Sequence, residues 1–226
     1  MTWPRLAWRC SSASSTRVRS RTLRNYKVRA LADRALAQSA ILDAFQAAAR
    51  DIPVAVPLWA TVGDEFQAVF AAAADAARAT ALVRLALPIE VDCRFGLGEG
   101  DMREVGEGDR GAIYDGSAWW RAREALEKVE RDQERAAPYA RSWLVGDPAD
   151  AARVGALNAH LLLRDHLIDT MSPRARRLAA GTLSGATQSE LAATERISQS
   201  AVSQNLRRSG AAALVVADRA LAEVPA

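Results

Sequence analysis

Cysteine and histidine are both scarce in this chain, since its 226 residues contain two of each. Two cysteines are too few for the framework of a small disulfide-stabilised protein. The two histidines, His160 and His166, are six residues apart, so a helix would carry them on different faces and they would not bind one zinc ion together. The most apolar stretch, residues 68–87, includes three charged side chains and lacks the composition of a membrane span. We therefore expect neither a membrane partner nor a histidine-based metal site.

Acidic residues are absent from residues 1–32, which carry eight basic groups. Subtracting these eight from the 30 Lys and Arg leaves 22 basic against 27 acidic groups, so residues 33–226 have a net charge of −5. Residues 1–29 are rich in Arg and Ser and show no periodicity, and we predict a disordered or non-native basic leader. An organelle transit peptide and a nucleic-acid-binding arm are the alternatives.

Residues 30–146 show the pattern of an α+β domain. Gly63-Asp64 between two β-rich runs predicts a hairpin, and the alternation of polar and apolar residues at 90–97 predicts a half-buried strand. The Gly- and Asp-rich residues 98–116 predict an irregular loop. The other predicted elements are helices over 32–49, before Pro88 and from Ser117, and a last strand over 139–145.

Residues 147–226 are predicted to form an all-α domain that begins with Asp147 as N-cap and Pro148 as first helical residue. Its most specific feature is a helix-turn-helix pattern over 187–210. Thr187 and Glu190 form a capping box for a short helix, Ser198 caps a second one, and Gly210 ends it. The turn holds Glu195 and Arg196 where an apolar residue and Gly are expected, and a left-handed Arg196 costs about 1 kcal/mol relative to Gly.

The second helix of this pattern has a polar face, and in a DNA-binding protein it would enter the major groove. Glutamine can bond to adenine and arginine to guanine in that groove, so double-stranded DNA is the expected partner. The alternative is an ordinary helical hairpin with a solvated polar face. The residues expected near bases are Gln199, Ser200, Ser203, Gln204 and Arg207, with Arg208 on phosphate.

Charge limits the affinity of one copy for DNA. Three arginines lie between Arg196 and Ala217. They predict a salt slope, the slope of log K for DNA against log [salt], of about −3, which is typical of dissociation constants of ~10⁻⁴ to 10⁻⁶ M. Useful affinity therefore requires a homodimer. Leu214, Val215 and Leu221 either supply its interface or belong to the core.

Three ordered motifs carry a family resemblance: Gly63–Gln67, Arg94–Gly100 and Tyr114–Ala125. Together with the helix-turn-helix pattern, they resemble the bacterial SatD family from about Val28 to the C-terminus. The resemblance implies an N-terminal region that opens with a strand ending in Gly-Asp. Of that region, only Arg29–Arg34 has a match in this sequence. Residues 1–27 match nothing in the family, as a wrong start or a shifted frame would produce, so we expect the first strand to be missing or replaced.

The Gly-Asp-Glu-Phe hairpin more distantly resembles the palm-like domain of nucleotidyl and diguanylate cyclases, a ferredoxin-like arrangement. This resemblance implies a nucleotide or metal role for Asp64, Glu65 and Arg123, with carboxylates holding two metal ions. The sequence opposes that chemistry, because no acid precedes Asp33 and adjacent strand residues point to opposite faces.

The resulting hypothesis is a cytoplasmic SatD-like transcriptional regulator without catalytic residues or cofactors. Its degenerate cyclase-like domain would bind a small ligand or nucleotide, or mediate dimerisation. The alternative is a nucleotide-handling enzyme that depends on Mg²⁺ or Mn²⁺ and has a regulatory helical tail. A third hypothesis is a protein that only binds other proteins.

Overall fold

A five-stranded sheet lies at the centre of the α+β part of the chain. The computed structural model describes residues 5–12, 26–60, 65–108 and 111–223. The strands of this sheet are β1 (Arg5–Ser12), β2 (Val54–Ala60), β3 (Glu65–Phe70), β4 (Cys93–Gly100) and β7 (Ser142–Val145). The strand order is β2-β3-β1-β4-β7, in which β4 and β7 are parallel and the other neighbouring pairs are antiparallel. Cys93, the first residue of β4, is buried and disulfide-bonded.

The central strand corrects the prediction for the N-terminus. Arg5–Ser12, predicted to belong to a disordered or non-native leader, forms β1, and Ala7 lies opposite both Val69 of β3 and Gly98 of β4. A strand therefore occupies the central position of the sheet, which excludes a missing first strand, and helix α1 begins at Tyr26 rather than at residue 32 as predicted. Composition failed here because β3 and β4 provide backbone partners on both edges of a segment with little apolar periodicity. The rest of the predicted leader lies outside the described residues.

The predicted loop over 98–116 is also wrong. Strand β4 continues to Gly100, and β5 (Arg103–Gly108) pairs with β6 (Gly111–Asp115) as a separate antiparallel hairpin. Glycine and aspartate favour turns, which is why the composition indicated a loop. Backbone pairing between the two strands outweighs that preference.

Helices cover both faces of the sheet. Helices α1 (Tyr26–Ala48) and α2 (Ala73–Ala86) pack in the main hydrophobic core, where Phe45 and Phe70 have ring centroids 6.2 Å apart. Helix α3 (Ser117–Arg135) lies against β4 on the opposite face. A Cβ atom at Gly96 or Gly98 would overlap the α3 backbone, so these glycines allow the close approach of helix and strand.

The C-terminal helices match the predicted starts and stops. A single 3₁₀ turn (Pro148–Asp150) precedes α4, and the Asp147 side chain accepts the predicted N-cap hydrogen bond. The Ser172 side chain caps α5 in the same way. Helix α2 packs against α4, α5 and α8, and one hydrophobic core runs through both predicted domains. The helices are α4 (Ala151–Thr170), α5 (Pro173–Leu183), α6 (Gln188–Glu195), α7 (Gln199–Arg208) and α8 (Ala211–Ala222).

Among the described residues, we find no helix with both the length and the apolar character that crossing a bilayer requires.

Candidate nucleic-acid interface

Helices α6 and α7 form the helix pair expected over 187–210. The Thr187 hydroxyl accepts a hydrogen bond from the backbone N–H of Glu190, whose carboxylate accepts one from the N–H of Thr187, so the capping box is complete. Ser198 caps α7 by accepting from the N–H of Ala201 at 3.1 Å. These caps fix the residue at which each helix begins, and a three-residue turn joins the end of α6 to the start of α7.

The inner face of α7 anchors it to the protein. Val202 and Leu206, one turn apart, are 0% and 5% exposed, and α7 packs against α5, α6 and α8. Leu191 and Ala192 of α6 are buried in the same core. The opposite face of α7 therefore has a fixed orientation toward solvent.

That outer face carries the side chains predicted to contact DNA. Ser203 is half-buried, and the hydroxyls of Ser198 and Ser200 lie 2.9 Å apart. No ion pair among the described residues involves Arg207 or Arg208. The exposed members of the predicted set are Gln199, Ser200, Gln204, Arg207 and Arg208.

The turn between α6 and α7 contains the left-handed residue that the sequence suggested. Arg196 is left-handed, with φ 54° and ψ 48°, and its side chain is exposed. Its backbone N–H donates to the carbonyl of Ala193 at 3.3 Å, which closes α6. Because Arg196 precedes α7 by three residues, it adds a cation beside the N-terminus of that helix.

An ion-pair cluster next to the turn was missed by the sequence analysis. Arg177 donates to both carboxylate oxygens of Glu195, at 2.6 and 2.8 Å, and Arg174 donates at 3.3 Å. These hydrogen bonds, led by those from Arg177, hold the pKa of the Glu195 carboxyl below its usual value. The spacing of three between the two arginines on α5 was the available clue, because such residues share one helix face.

The side chains considered for a dimer interface belong to the core. Leu214 and Val215 are buried, and Leu221 packs against the same cluster, so these residues are not available to a second copy. The outer side of α8 instead presents Val216, which is 66% exposed. Exposed alanines at 212, 213 and 220 extend that apolar face.

The residues considered for metal or nucleotide binding are only partly described. Asp64 lies outside the described residues, and Glu65 is half-buried at the start of β3, opposite Ser11. Arg123 is an exposed residue of α3 and pairs with Glu127 at 3.6 Å. No group of three or more metal-ligating side chains occurs among the described residues.

An aromatic cluster lies where β2, β6 and α3 meet. Trp119 packs edge-on against Trp59, with centroids 5.7 Å apart, and Tyr114 lies 5.8 Å from Trp59 on centroids. The indole Nε1 of Trp119 is buried and has no hydrogen-bond partner among the residues that the structure describes. A buried donor without a partner is a place where a ligand acceptor can bind.

A network of buried charges fixes α4 to α2 and β7. The Asp165 carboxylate accepts from Arg84 at 2.8 Å, from Arg164 at 2.7 Å and from the backbone N–H of Arg141 at 2.7 Å. Burial alone raises the pKa of Asp165, but the two guanidinium charges and these hydrogen bonds outweigh it, so the pKa lies below its ordinary value. The network is structural and lies away from the outer face of α7.

Comparison with known proteins gives a family and little more. A solved structure, the regulator of polyketide synthase expression from Bifidobacterium adolescentis, is 14% identical over 97% of this chain and 80% of its own, with a TM-score of 0.24, a likeness too low to support any inference. Among curated proteins, none matches the chain. The model of the SatD family matches residues 28–140, from α1 to the segment before β7. The chain belongs to the SatD family.

Proposed function

We propose that this SatD-family protein binds double-stranded DNA through α7 and acts as a transcriptional regulator. The observation that carries the proposal is the division of α7 into two faces. Val202 and Leu206 anchor one face in the core, while every side chain predicted to contact DNA lies on the accessible remainder of the helix. A recognition helix needs this combination of a fixed axis and a free polar face.

The chemistry of the outer face suits the major groove. The amides of Gln199 and Gln204 can each form two hydrogen bonds with adenine, and Arg207 can bond bidentately to guanine. Ser200 and Ser203 are short enough to allow close approach of the helix to base edges. Arg208 lies nearer the C-terminal end of α7, where we place it on a phosphate.

A second copy of the chain is part of this proposal. On random-sequence DNA, where the guanine expected opposite Arg207 is absent, Arg196, Arg207 and Arg208 would each contact a phosphate. They then correspond to a slope of log K against log [salt] of about −2.7 for one copy, at about 0.9 per neutralised phosphate, and about −5.4 for two. We place the dimer contact on the outer side of α8, around Val216. That side is apolar except for Arg219, and an antiparallel pair of α8 helices centred on Val216 would bring Arg219 opposite Ala213 rather than opposite another arginine.

For the α+β domain, we propose a palm-like fold that takes a small ligand or nucleotide. The strand order, with β1 between the β2–β3 hairpin and β4, supports the fold assignment. The Nε1 of Trp119, which has no partner within the described part of the chain, lies beside Trp59 and Tyr114 and supports a ligand at that aromatic cluster. Quenching of tryptophan fluorescence by nucleotides, lost in Trp119→Phe, would test it.

The proposal is tested by titrating a pool of random-sequence 30-base-pair duplexes at two salt concentrations. The Arg207→Ala and Arg208→Ala variants should bind more weakly, and each should reduce the salt slope by about 1 per copy. Arg123→Ala is the matched control, because it removes an exposed arginine from α3 and leaves α7 unchanged. Equal binding by the parent and both α7 variants would rule out this mode of docking.

A metal-dependent nucleotide-handling enzyme is the second candidate, supported by the strand order together with the position of the Gly-Asp-Glu-Phe hairpin. It is weakened by β1, whose eight residues include no acid to share a metal ion with Asp64. The candidate predicts turnover of a nucleoside triphosphate with Mg²⁺ or Mn²⁺ that disappears in Asp64→Ala. A chain that binds neither duplex nor nucleotide would instead be an interaction protein.

A further inference from the structure

The arginine pair on α5 lies beside the end of α7 that the proposed function directs into the groove. Glu195 is the last residue of α6, four positions before Gln199, the first residue of α7. The hydrogen bonds to Glu195 therefore bring the guanidinium groups of Arg174 and Arg177 to the same turn. These two charges lie off the α7 sequence, in a helix that contacts both α6 and α7.

Both arginines remain open to solvent despite their pairing. The side chains of Arg174 and Arg177 are 53% and 57% exposed, while that of Glu195 is 9% exposed. The carboxylate is thus covered by its two partners, and much of each guanidinium faces outward. Because both guanidinium groups face solvent, water screens their attraction to the carboxylate, so exchange of Glu195 for another anion costs little.

We infer that Arg174 and Arg177 extend the DNA-binding surface to the phosphates that flank α7, and that Glu195 competes with those phosphates for both guanidinium groups. This inference rests on the proposed function, since it requires the N-terminus of α7 to lie in the groove. Arginine binds phosphate through the same forked N–H geometry that it uses for carboxylate. Glu195 therefore keeps non-specific affinity low by occupying two cations that would otherwise bind any duplex.

The inference predicts that Glu195→Gln strengthens DNA binding rather than weakening it. This variant keeps the shape of the side chain, but it removes the charge and replaces one of the two acceptor oxygens with an NH₂ donor, which frees two arginines for phosphate. Binding of random duplex should strengthen about tenfold at low salt, and the salt slope should steepen by about 1.8 per copy, from two further contacts at about 0.9 each. Glu223→Gln is the matched control, because it removes one exposed carboxylate at the end of α8.

A second set of variants separates specific contacts from net charge. In the Glu195→Gln background, changing Arg174 and Arg177 to Ala should return both the affinity and the slope to those of the parent. All measurements use the full chain and the same duplex pool, and the melting temperature of each variant confirms that it is folded.

The outcomes distinguish this inference from the proposal beneath it. Tighter binding by Glu195→Gln but not Glu223→Gln, reversed by loss of the two arginines, supports the inference. Equal effects of the two glutamine substitutions, or a gain that survives loss of both arginines, overturns it while leaving docking through α7 intact. A parent whose DNA binding ignores Arg207→Ala and Arg208→Ala overturns the proposed function, and this inference with it.

Discussion

Arg84 of α2 donates a hydrogen bond to the carboxylate of Asp165 on α4 at 2.8 Å, and both side chains are buried. Arg164, the neighbour of Asp165, donates to the same carboxylate oxygen and also to the Ser142 hydroxyl on β7. One buried carboxylate thus compensates two buried guanidinium groups from different helices. This arrangement links the sheet of the α+β part to α4, which contacts α8, one of the helices that pack against α7.

Replacing Asp165 with Asn should destabilise the protein by about 3–5 kcal/mol, because it leaves Arg84 and Arg164 buried without their counter-charge. Urea unfolding of parent and variant measures the difference. Asp169→Asn is the control, since Asp169 is half exposed and 4.0 Å from Arg84, and it should cost less than about 1 kcal/mol. Similar losses for both variants would show that Asp165 has no special role.

The pH dependence of that loss follows from the direction of the pKa shift. Folding lowers the pKa of Asp165. The contribution of this carboxylate to the free energy of unfolding is therefore complete at pH values above the unfolded pKa of about 3.9, and it is lost as the pH falls through the lower folded pKa. The stability gap between parent and Asp165→Asn should therefore stay constant from pH 7 to about pH 5 and narrow only in stronger acid. A gap that narrows between pH 7 and pH 5 would mean that folding raises this pKa.

The helical part of the structure could be predicted closely because its determinants are local. Capping residues such as Thr187 and Ser198 act on backbone groups within three residues, and Gly210 adopts a left-handed conformation as expected at the end of α7. The exposed face of α7 followed from helical periodicity alone. For the same reason, the left-handed conformation of Arg196 could be anticipated.

The missed features depend on residues far apart in sequence. Strand β1 exists because β3 and β4, more than 50 residues away, flank it on both edges. The burial of Leu214 and Val215 depends on how α8 packs against α2 and α5, and no pattern within α8 distinguishes core from interface. The pairing of Arg174 and Arg177 with Glu195 likewise requires the packing of α5 on α6. Sequence periodicity shows which faces are apolar but not which element covers them.

Gly98 should be intolerant of any side chain. A Cβ atom there would overlap backbone atoms of Ala118 and Ala122, so Gly98→Ala should force α3 away from β4 and cost at least about 2 kcal/mol. Gly155→Ala is the opposite control, because that glycine is within α4 with nothing near its Cβ position, and it should stabilise the protein by about 0.5–1 kcal/mol. Thermal melting should show a lower melting temperature for Gly98→Ala and a higher one for Gly155→Ala than for the parent.

Val216→Glu should separate two copies of the chain without unfolding either. The side chain points to solvent from α8, so the charge costs little in a monomer, but two such charges would face each other in the proposed dimer. Sedimentation measurements should show a dimer for the parent and a monomer for the variant, and the DNA salt slope should halve. Leu36→Glu, at an equally exposed position on α1, should leave the dimer unchanged. A monomeric parent would refute this dimer.

Arg196→Gly should change stability and DNA binding in opposite directions. The left-handed backbone at this position costs Arg about 1 kcal/mol relative to Gly, so the substitution should raise the melting temperature. It also removes an exposed cation from the turn beside α7, so duplex binding should weaken and the salt slope should fall by about 1 per copy. Arg123→Gln, which removes an exposed cation from α3 without a change in backbone strain, should alter neither the slope nor the stability appreciably. A variant that is more stable yet binds DNA as the parent does would place Arg196 outside the interface.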